Sequence, residues 1–300
     1  HAGDPYPGPL NAEPGRTAMT SIEQTPRTTR PGDILALVTA TDPWSPAAVA
    51  AIAIASRWEA NLTGCFIDPA LRTLAGGKAD SEPTVLGLLL EPRIESGDEH
   101  AAFSAFARLS GLRNADWIVA RTSIASALRR LGARHDLAVI ERDMVHPSGL
   151  LDIVGEAILS CRVPCLVLPP LWQREIRFER VVIGCNGSIE AIRAIHAALP
   201  FLKAAKQVTL VDGDLGDGDD THPRFDPFVY LLRHGITPRP SYVRASSAMA
   251  GEILLQEAGN IDADLLVMGA YGHSRMRERV FGGATRRVLE EATIPVLMQH

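Results

Sequence analysis

Two spacings of apolar residues take turns along this chain. Short, nearly continuous apolar runs are bounded by polar residues, as in Ile34-Leu-Ala-Leu-Val-Thr-Ala-Thr-Asp42 and Arg180-Val-Val-Ile-Gly-Cys-Asn186, and these read as strands buried on both faces. Each is followed by an Ala-rich stretch of helical character, Pro46 to Ala60 and Ser188 to Ala204. Each helix leads to a second strand, ending in Cys-Phe-Ile-Asp68 and in Thr-Leu-Val-Asp212, and Asp42 is as far from Asp68 as Asn186 is from Asp212. The pattern is therefore written twice.

Later landmarks repeat as well. His135-Asp-Leu-Ala-Val-Ile140 matches Ala263-Asp-Leu-Leu-Val-Met268, and Arg162-Val-Pro-Cys-Leu-Val-Leu168 matches Thr293-Ile-Pro-Val-Leu-Met298 as closing strands. Between them, Leu150 to Ser160 and Gly283 to Ala292 read as helices. Strict alternation of strand and helix requires a parallel sheet covered on both faces. The expected fold class is α/β, with two tandem doubly wound, Rossmann-like domains, each on a parallel five-stranded sheet. The seam is placed near Pro169-Pro170-Leu171-Trp172, because consecutive prolines stop strand pairing. This divides the chain into a first domain over 34–170 and a second over 175–300.

Residues 1–33 show no apolar period and are rich in Pro, Gly, Thr and charge, which reads as a disordered extension. The chain opens on His1, Met19 precedes a more ordinary start, and residues 1–18 read as an addition ahead of it. That stretch lacks the apolar core of a secretion signal.

The halves differ where chemistry is expected. In the second, Asp264-Leu-Leu-Val-Met-Gly269 runs into Gly269-Ala-Tyr-Gly272, then nine residues, then Gly282-Gly283-Ala284-Thr285. Glycines let a backbone turn with positive φ and approach an anion closely, and the N–H groups of a following helix start point at it. In the first half the stretch from Asp136 to Val163 is three residues shorter than Asp264 to Ile294. Its loop, Glu141-Arg-Asp-Met-Val-His-Pro-Ser-Gly149, has no paired glycines and carries two acids where a phosphate would sit. One phosphate site per chain is expected, in the second half. Ligands of open α/β sheets lie beyond the carboxyl ends of the strands at the switch point, which brings Asn186 and Gly269 together, with Val211 and Asp212 lining a base or ribose.

The G-x-x-G-x9-G spacing of Gly269, Gly272 and Gly282, the closing Ile294-Pro-Val-Leu297 strand and the Asn186-Gly187-Ser188 turn together resemble the universal stress protein family, over residues 34–300 as a tandem pair. The resemblance implies an adenine nucleotide alpha hydrolase-like fold, with a degenerate first domain. It also implies ATP, with or without Mg2+, as cofactor of the second domain, and a stress-response sensor or regulator in the cytoplasm rather than an enzyme. Two positions depart from the family's ATP binders: Gly283 stands where they have Ser or Thr, and Asn186 where they have Asp. The family's single-domain dimers imply that the two closing strands pair edge to edge as an internal pseudo-dimer, and a homodimer of whole chains stays open. The protein partner is unknown. A scaffold that binds no nucleotide, and a very slow ATPase, are the alternatives.

Individual residues carry two readings each. Ser188 either caps the helix after the first strand of the second half or contacts ribose or phosphate. Thr285 is equally divided. His273 is a surface or phosphate hydrogen-bonding residue rather than a catalytic base, since no nucleophile motif surrounds it. Arg275, Arg277, Arg279, Arg286 and Arg287 form either a solvated, salt-bridged face or a phosphate-facing patch. His196 and His234 read as surface or interface residues. Asp212-Gly-Asp-Leu-Gly-Asp-Gly-Asp-Asp220 misses the register of a calcium loop and reads as a solvated loop. The net charge of −5 offers no general attraction to nucleic acid or anionic membrane. No apolar run reaches the length of a membrane span. Cys65, Cys161, Cys165 and Cys185 read as buried, reduced thiols rather than a metal or redox site.

Overall fold

The computed structural model describes residues 30–68, 72, 97–146, 149–213, 225–243, 249–271 and 283–300. Ten strands form one sheet: β1 (Asp33–Val38), β2 (Asn61–Ile67), β3 (Ala115–Ala120), β4 (Leu137–Glu141), β5 (Cys165–Leu168), β6 (Arg180–Cys185), β7 (Gln207–Gly213), β8 (Arg239–Val243), β9 (Leu265–Gly269) and β10 (Val296–Gln299). Their spatial order is β3-β2-β1-β4-β5-β10-β9-β6-β7-β8. Each half therefore repeats one doubly wound order, and every neighbouring pair is parallel except one. The exception is β5 against β10, antiparallel, with Leu166 opposite Leu297, Val167 opposite Val296 and Cys165 opposite Met298. The two five-stranded sheets are thus one continuous ten-stranded sheet. Cys165, Leu166 and Val167 are the counterparts of Val296, Leu297 and Met298, so equivalent residues pair crosswise, as about a local two-fold between the halves.

The helices are α1 (Pro46–Trp58), α2 (Gly97–Leu109), α3 (Ile124–Gly132), α4 (Glu156–Ser160), α5 (Ile189–Ala204), α6 (Pro227–Arg233), α7 (Ala250–Asn260) and α8 (Gly283–Glu291). Helices α1, α2, α5 and α6 bury their apolar stripes on one face of the sheet, and α3, α4, α7 and α8 on the other. The first face is continuous across the seam, because Trp58 of α1, Phe201 of α5 and Phe178 of the connection pack ring against ring, with centroids 4.6–6.2 Å apart. The expected helix Leu150–Ser160 begins instead as a π-helical stretch, Leu150–Gly155, and tightens to α only from Glu156.

The repeat extends to single hydrogen bonds. Asp136 Oδ2 accepts from the N–H groups of Gly32 and Asp33 at the start of β1 (2.8 and 3.1 Å), and Asp264 Oδ2 accepts from Glu179 and Arg180 at the start of β6 (3.1 and 2.8 Å). The register corrects one landmark. Ile34 pairs with Leu137 and Val181 with Leu265, so the residue equivalent to Asn186 is Thr39, not Asp42. Pairing of β1 with β2 stops at Val38, and residues 39–45 form a loop closed by a Thr41–Trp44 bridge. Pro43 has no N–H to continue a ladder, and Trp44 is drawn onto the rings of Phe103, Phe106 and Trp117.

The four cysteines are buried free thiols, with Cys161 and Cys165 Sγ atoms 3.4 Å apart. Burial pushes the Cys65 thiol up to about 12 and Cys185 to about 11. No helix among the described residues is long and apolar enough to cross a membrane. Most of the N-terminal extension and residues 214–220 of the acidic loop lie outside the described residues.

Candidate functional site

β6 and β9 lie side by side, and their carboxyl ends form the switch point of the second half. Strand β6 ends in a tight turn: Gly187 has φ +69°, and Asn186 Oδ1 accepts from the N–H of Ser188 (3.2 Å). Glycine is the residue that adopts this left-handed conformation without steric cost. Ser188 then caps α5, its Oγ accepting from the N–H of Ala191 (3.2 Å). The first turn of α5 rests on the end of β9. A Cβ on Gly269 would lie 2.5 Å from Ala191 N and 2.7 Å from Glu190 C, so only glycine admits the helix start here.

Beyond Gly269 the chain turns sharply. Tyr271 has φ +61° and is buried, and its N–H donates to Oγ1 of buried Thr285 (3.1 Å). That bond draws the first turn of α8 against the end of β9. Burial also lifts the Tyr271 phenol above its ordinary range, so it stays protonated. Gly283 heads α8 with no atom of the described residues within 4 Å of the position a Cβ would take, and Ala284 is half-buried. Val211 is buried at the end of β7, with Asp212 half-buried beside it. The structure thus brings Asn186, Gly187, Ser188, Gly269, Gly283, Ala284 and Thr285 around one strand edge. Gly272, His273, Arg275 and Gly282, with Arg277 and Arg279, lie outside the described residues.

Sequence reasoning left three roles unassigned. Thr285 braces the backbone at Tyr271, a bond across 14 positions that no local motif announces. Arg286 and Arg287 pair with Glu290 and Glu291 along α8, each four residues on; the i,i+4 spacing was the signal that pointed to it. His196 stacks on Tyr230 with ring centroids 4.7 Å apart, and the His234 ring lies 4.5 Å from the same ring, tilted to it. Among the described residues no group of three His, Cys, Asp or Glu side chains converges as a metal site would require.

The equivalent position of the first half is built differently. Glu141, in register with Gly269, is only 4% exposed. Its Oε1 accepts from the N–H of Ala47 in the first turn of α1 (2.9 Å), and Oε2 from the hydroxyl of Thr39 (3.1 Å). Burial raises its pKa above the ordinary carboxylate value, with Asp143 adding to the rise, while the donors Ala47, Ser45 and Thr39 oppose it.

Comparison with known proteins places this architecture. The model of the universal stress protein family matches residues 233–300, which run from the end of α6 through β10. A 34-residue stretch is 59% identical to a universal stress protein of Synechocystis sp. (strain ATCC 27184 / PCC 6803 / Kazusa), covering 11% of this chain and 12% of that relative's length. A functionally unknown protein from Pseudomonas aeruginosa PAO1 superposes with a TM-score of 0.58 at 12% identity, over 90% of this chain and 93% of that one. A universal stress protein from Archaeoglobus fulgidus DSM 4304 gives 0.57 at 15% identity, over 89% and 95%. The likeness to both extends across the two halves and is one of fold. The C-terminal segment, residues 233–300, thus matches the universal stress protein family, and the fold over nearly the whole chain is like that of these two solved structures.

Proposed function

We propose that the second half binds ATP or a related adenine nucleotide, with or without Mg2+, and that the protein acts as a cytoplasmic stress-response sensor or regulator. The observation that carries this reading is the seat of α5 on Gly269, where a Cβ would lie 2.5 Å from Ala191 N. That contact sets a helix start and the Asn186–Ser188 turn at the carboxyl ends of β6 and β9, the crevice where open α/β sheets take ligands. In this reading Val211 and Asp212 border the base or ribose. The phosphates lie along Gly269 to Gly272 and Gly282 to Thr285, with His273 and Arg275 supplied by the intervening loop. The division into a degenerate domain over 34–170 and a nucleotide-binding domain over 175–300, with signal passed to a protein partner, belongs to the same proposal.

Thermal unfolding with millimolar ATP and Mg2+ tests it. A ligand bound only by the folded state must raise the melting temperature, so an unchanged midpoint, with no nucleotide released from the purified protein, overturns the reading. A second reading, a scaffold that binds no nucleotide, is favoured by one observation. Three polar side chains of the site are already engaged with the backbone, Asn186 with Ser188, Ser188 with Ala191 and Thr285 with Tyr271. It requires Gly272→Val to leave cellular function intact. Robust ATP turnover would overturn both in favour of an enzyme.

A further inference from the structure

The start of α1 is held in an unusual way. Ser45 stands at its N-cap, yet its side chain makes no capping bond to the helix, whereas Ser188 caps α5 in the ordinary manner. Glu141, arriving from the end of β4, takes the N–H of Ala47 in that first turn (2.9 Å). The hydroxyls of Ser45 and Thr39 are turned to the same carboxylate. Backbone N–H at a helix start plus two hydroxyls is the donor set that a phosphate receives in sites of this architecture. Alongside, the Arg72 guanidinium bridges the carbonyls of Thr39 (2.7 Å) and Ile67 (3.0 Å), lying over the ends of β1 and β2. One anionic and one cationic side chain of the chain itself thereby stand at the strand ends of the first half.

We propose that Glu141, the residue equivalent to Gly269, is a built-in anion that takes in the first half the helix-start N–H and hydroxyl donors a bound phosphate would otherwise meet. The register makes these two residues equivalent: Leu137 and Leu265 open β4 and β9 against Ile34 and Val181, and Glu141 and Gly269 close them. Glycine at this place lets a helix start come down onto the strand end. Glutamate answers the N–H of its helix start with a carboxylate instead. The chain therefore takes one nucleotide, not two; this stoichiometry rests on the nucleotide reading of the second half, whereas the engaged donor set in the first does not.

The test is Glu141→Ala in the full chain, titrated with inorganic phosphate against chloride at matched ionic strength. Removing the carboxylate empties the donor set, so phosphate should raise the melting temperature of the variant by about 2 °C or more beyond chloride at tens of millimolar. Wild type and Glu141→Gln, in which an amide oxygen still takes the Ala47 N–H, should respond alike, showing only the phosphate effect that the second half supplies, and the response of Glu141→Ala is read as the excess over them. If Glu141→Ala folds and phosphate, relative to chloride, raises its melting temperature no more than that of wild type, the inference is overturned. If it folds only in phosphate, the inference stands, and if it folds in neither, it fails. ATP stoichiometry by calorimetry is the separate arm: one per wild-type chain is expected, and two overturns the inference. None overturns the nucleotide reading, while the phosphate arm still decides the role of Glu141.

Discussion

Arg142 Nη1 donates to the carbonyl of Ala292 (3.0 Å), so a residue of the first half caps the C-terminal end of α8 in the second. A guanidinium there meets the carbonyl-rich, partially negative end of the helix whose opposite end faces the candidate phosphate site. Arg142 follows Glu141 directly. The segment that answers the start of α1 is therefore also the strut that steadies the second half's helix. Arg142→Ala should lower stability by about 1 kcal/mol, with Arg142→Lys between it and wild type. Urea unfolding measures this, and faster amide exchange confined to α8 would locate it.

Gly269→Ala should be costly despite its single added methyl. The new Cβ meets backbone atoms of Glu190 and Ala191 at 2.7 and 2.5 Å, and these cannot move without lifting the first turn of α5. A loss of about 1–3 kcal/mol is expected from overpacking of this kind. Urea unfolding at pH 7 reads it, and a wild-type midpoint would show that the helix start is free to shift.

Gly283→Ser should be tolerated, because no atom of the described residues stands within 4 Å of the added Cβ. A serine at the head of α8 also suits a helix start. In the nucleotide reading its hydroxyl adds one hydrogen bond to the phosphates, worth about 1 kcal/mol, or roughly five-fold in affinity for ATP. Calorimetric titration checks it. Unchanged affinity in a folded variant would place the phosphates away from α8.

Thr285→Val and Thr285→Ser separate shape from hydrogen bonding. Valine keeps the volume but leaves the buried N–H of Tyr271 without its acceptor, at a cost of about 1–3 kcal/mol. Tyr271 is already held at φ +61°, a conformation non-glycine residues rarely adopt. Serine keeps the bond and should unfold close to wild type. A loss for serine with none for valine would mean that the methyl group, not the bond, holds the turn.

The pH dependence of stability should carry the signature of Glu141. Burial raises its folded-state pKa above the unfolded value, and Asp143 adds to this, while the donors on Ala47, Ser45 and Thr39 only partly offset it; Arg72 lies alongside. For a raised carboxyl, the stabilising contribution is complete below the unfolded pKa, near 4.3, and is lost as pH climbs through the folded value. Glu141→Gln cannot titrate. The stability of wild type relative to this variant should therefore rise as pH falls from 7 towards 5, read by urea unfolding at the two pH values. A constant difference would mean that the donors hold the carboxylate at an ordinary pKa.

The tandem repeat, the strand–helix alternation and most element ends could be read from residue order, because apolar spacing is a local property of the chain. The same holds for Ser188 at its helix cap, and for Asp136 and Asp264 at equivalent places, since each acts within one repeating unit. Matching residues by type went astray at Asp42. Which residue faces which across a sheet depends on hydrogen-bond register, and the register runs through Thr39. Merging of the two sheets through Leu166 and Leu297, the bracing of Tyr271 by Thr285, and Arg142 on Ala292 all join residues far apart in the chain. Glu141 makes the point most sharply. Its position showed that an acid stood where a phosphate was expected, but only folding brought that acid within 2.9 Å of the Ala47 N–H, because β4 and the start of α1 meet nowhere except in three dimensions.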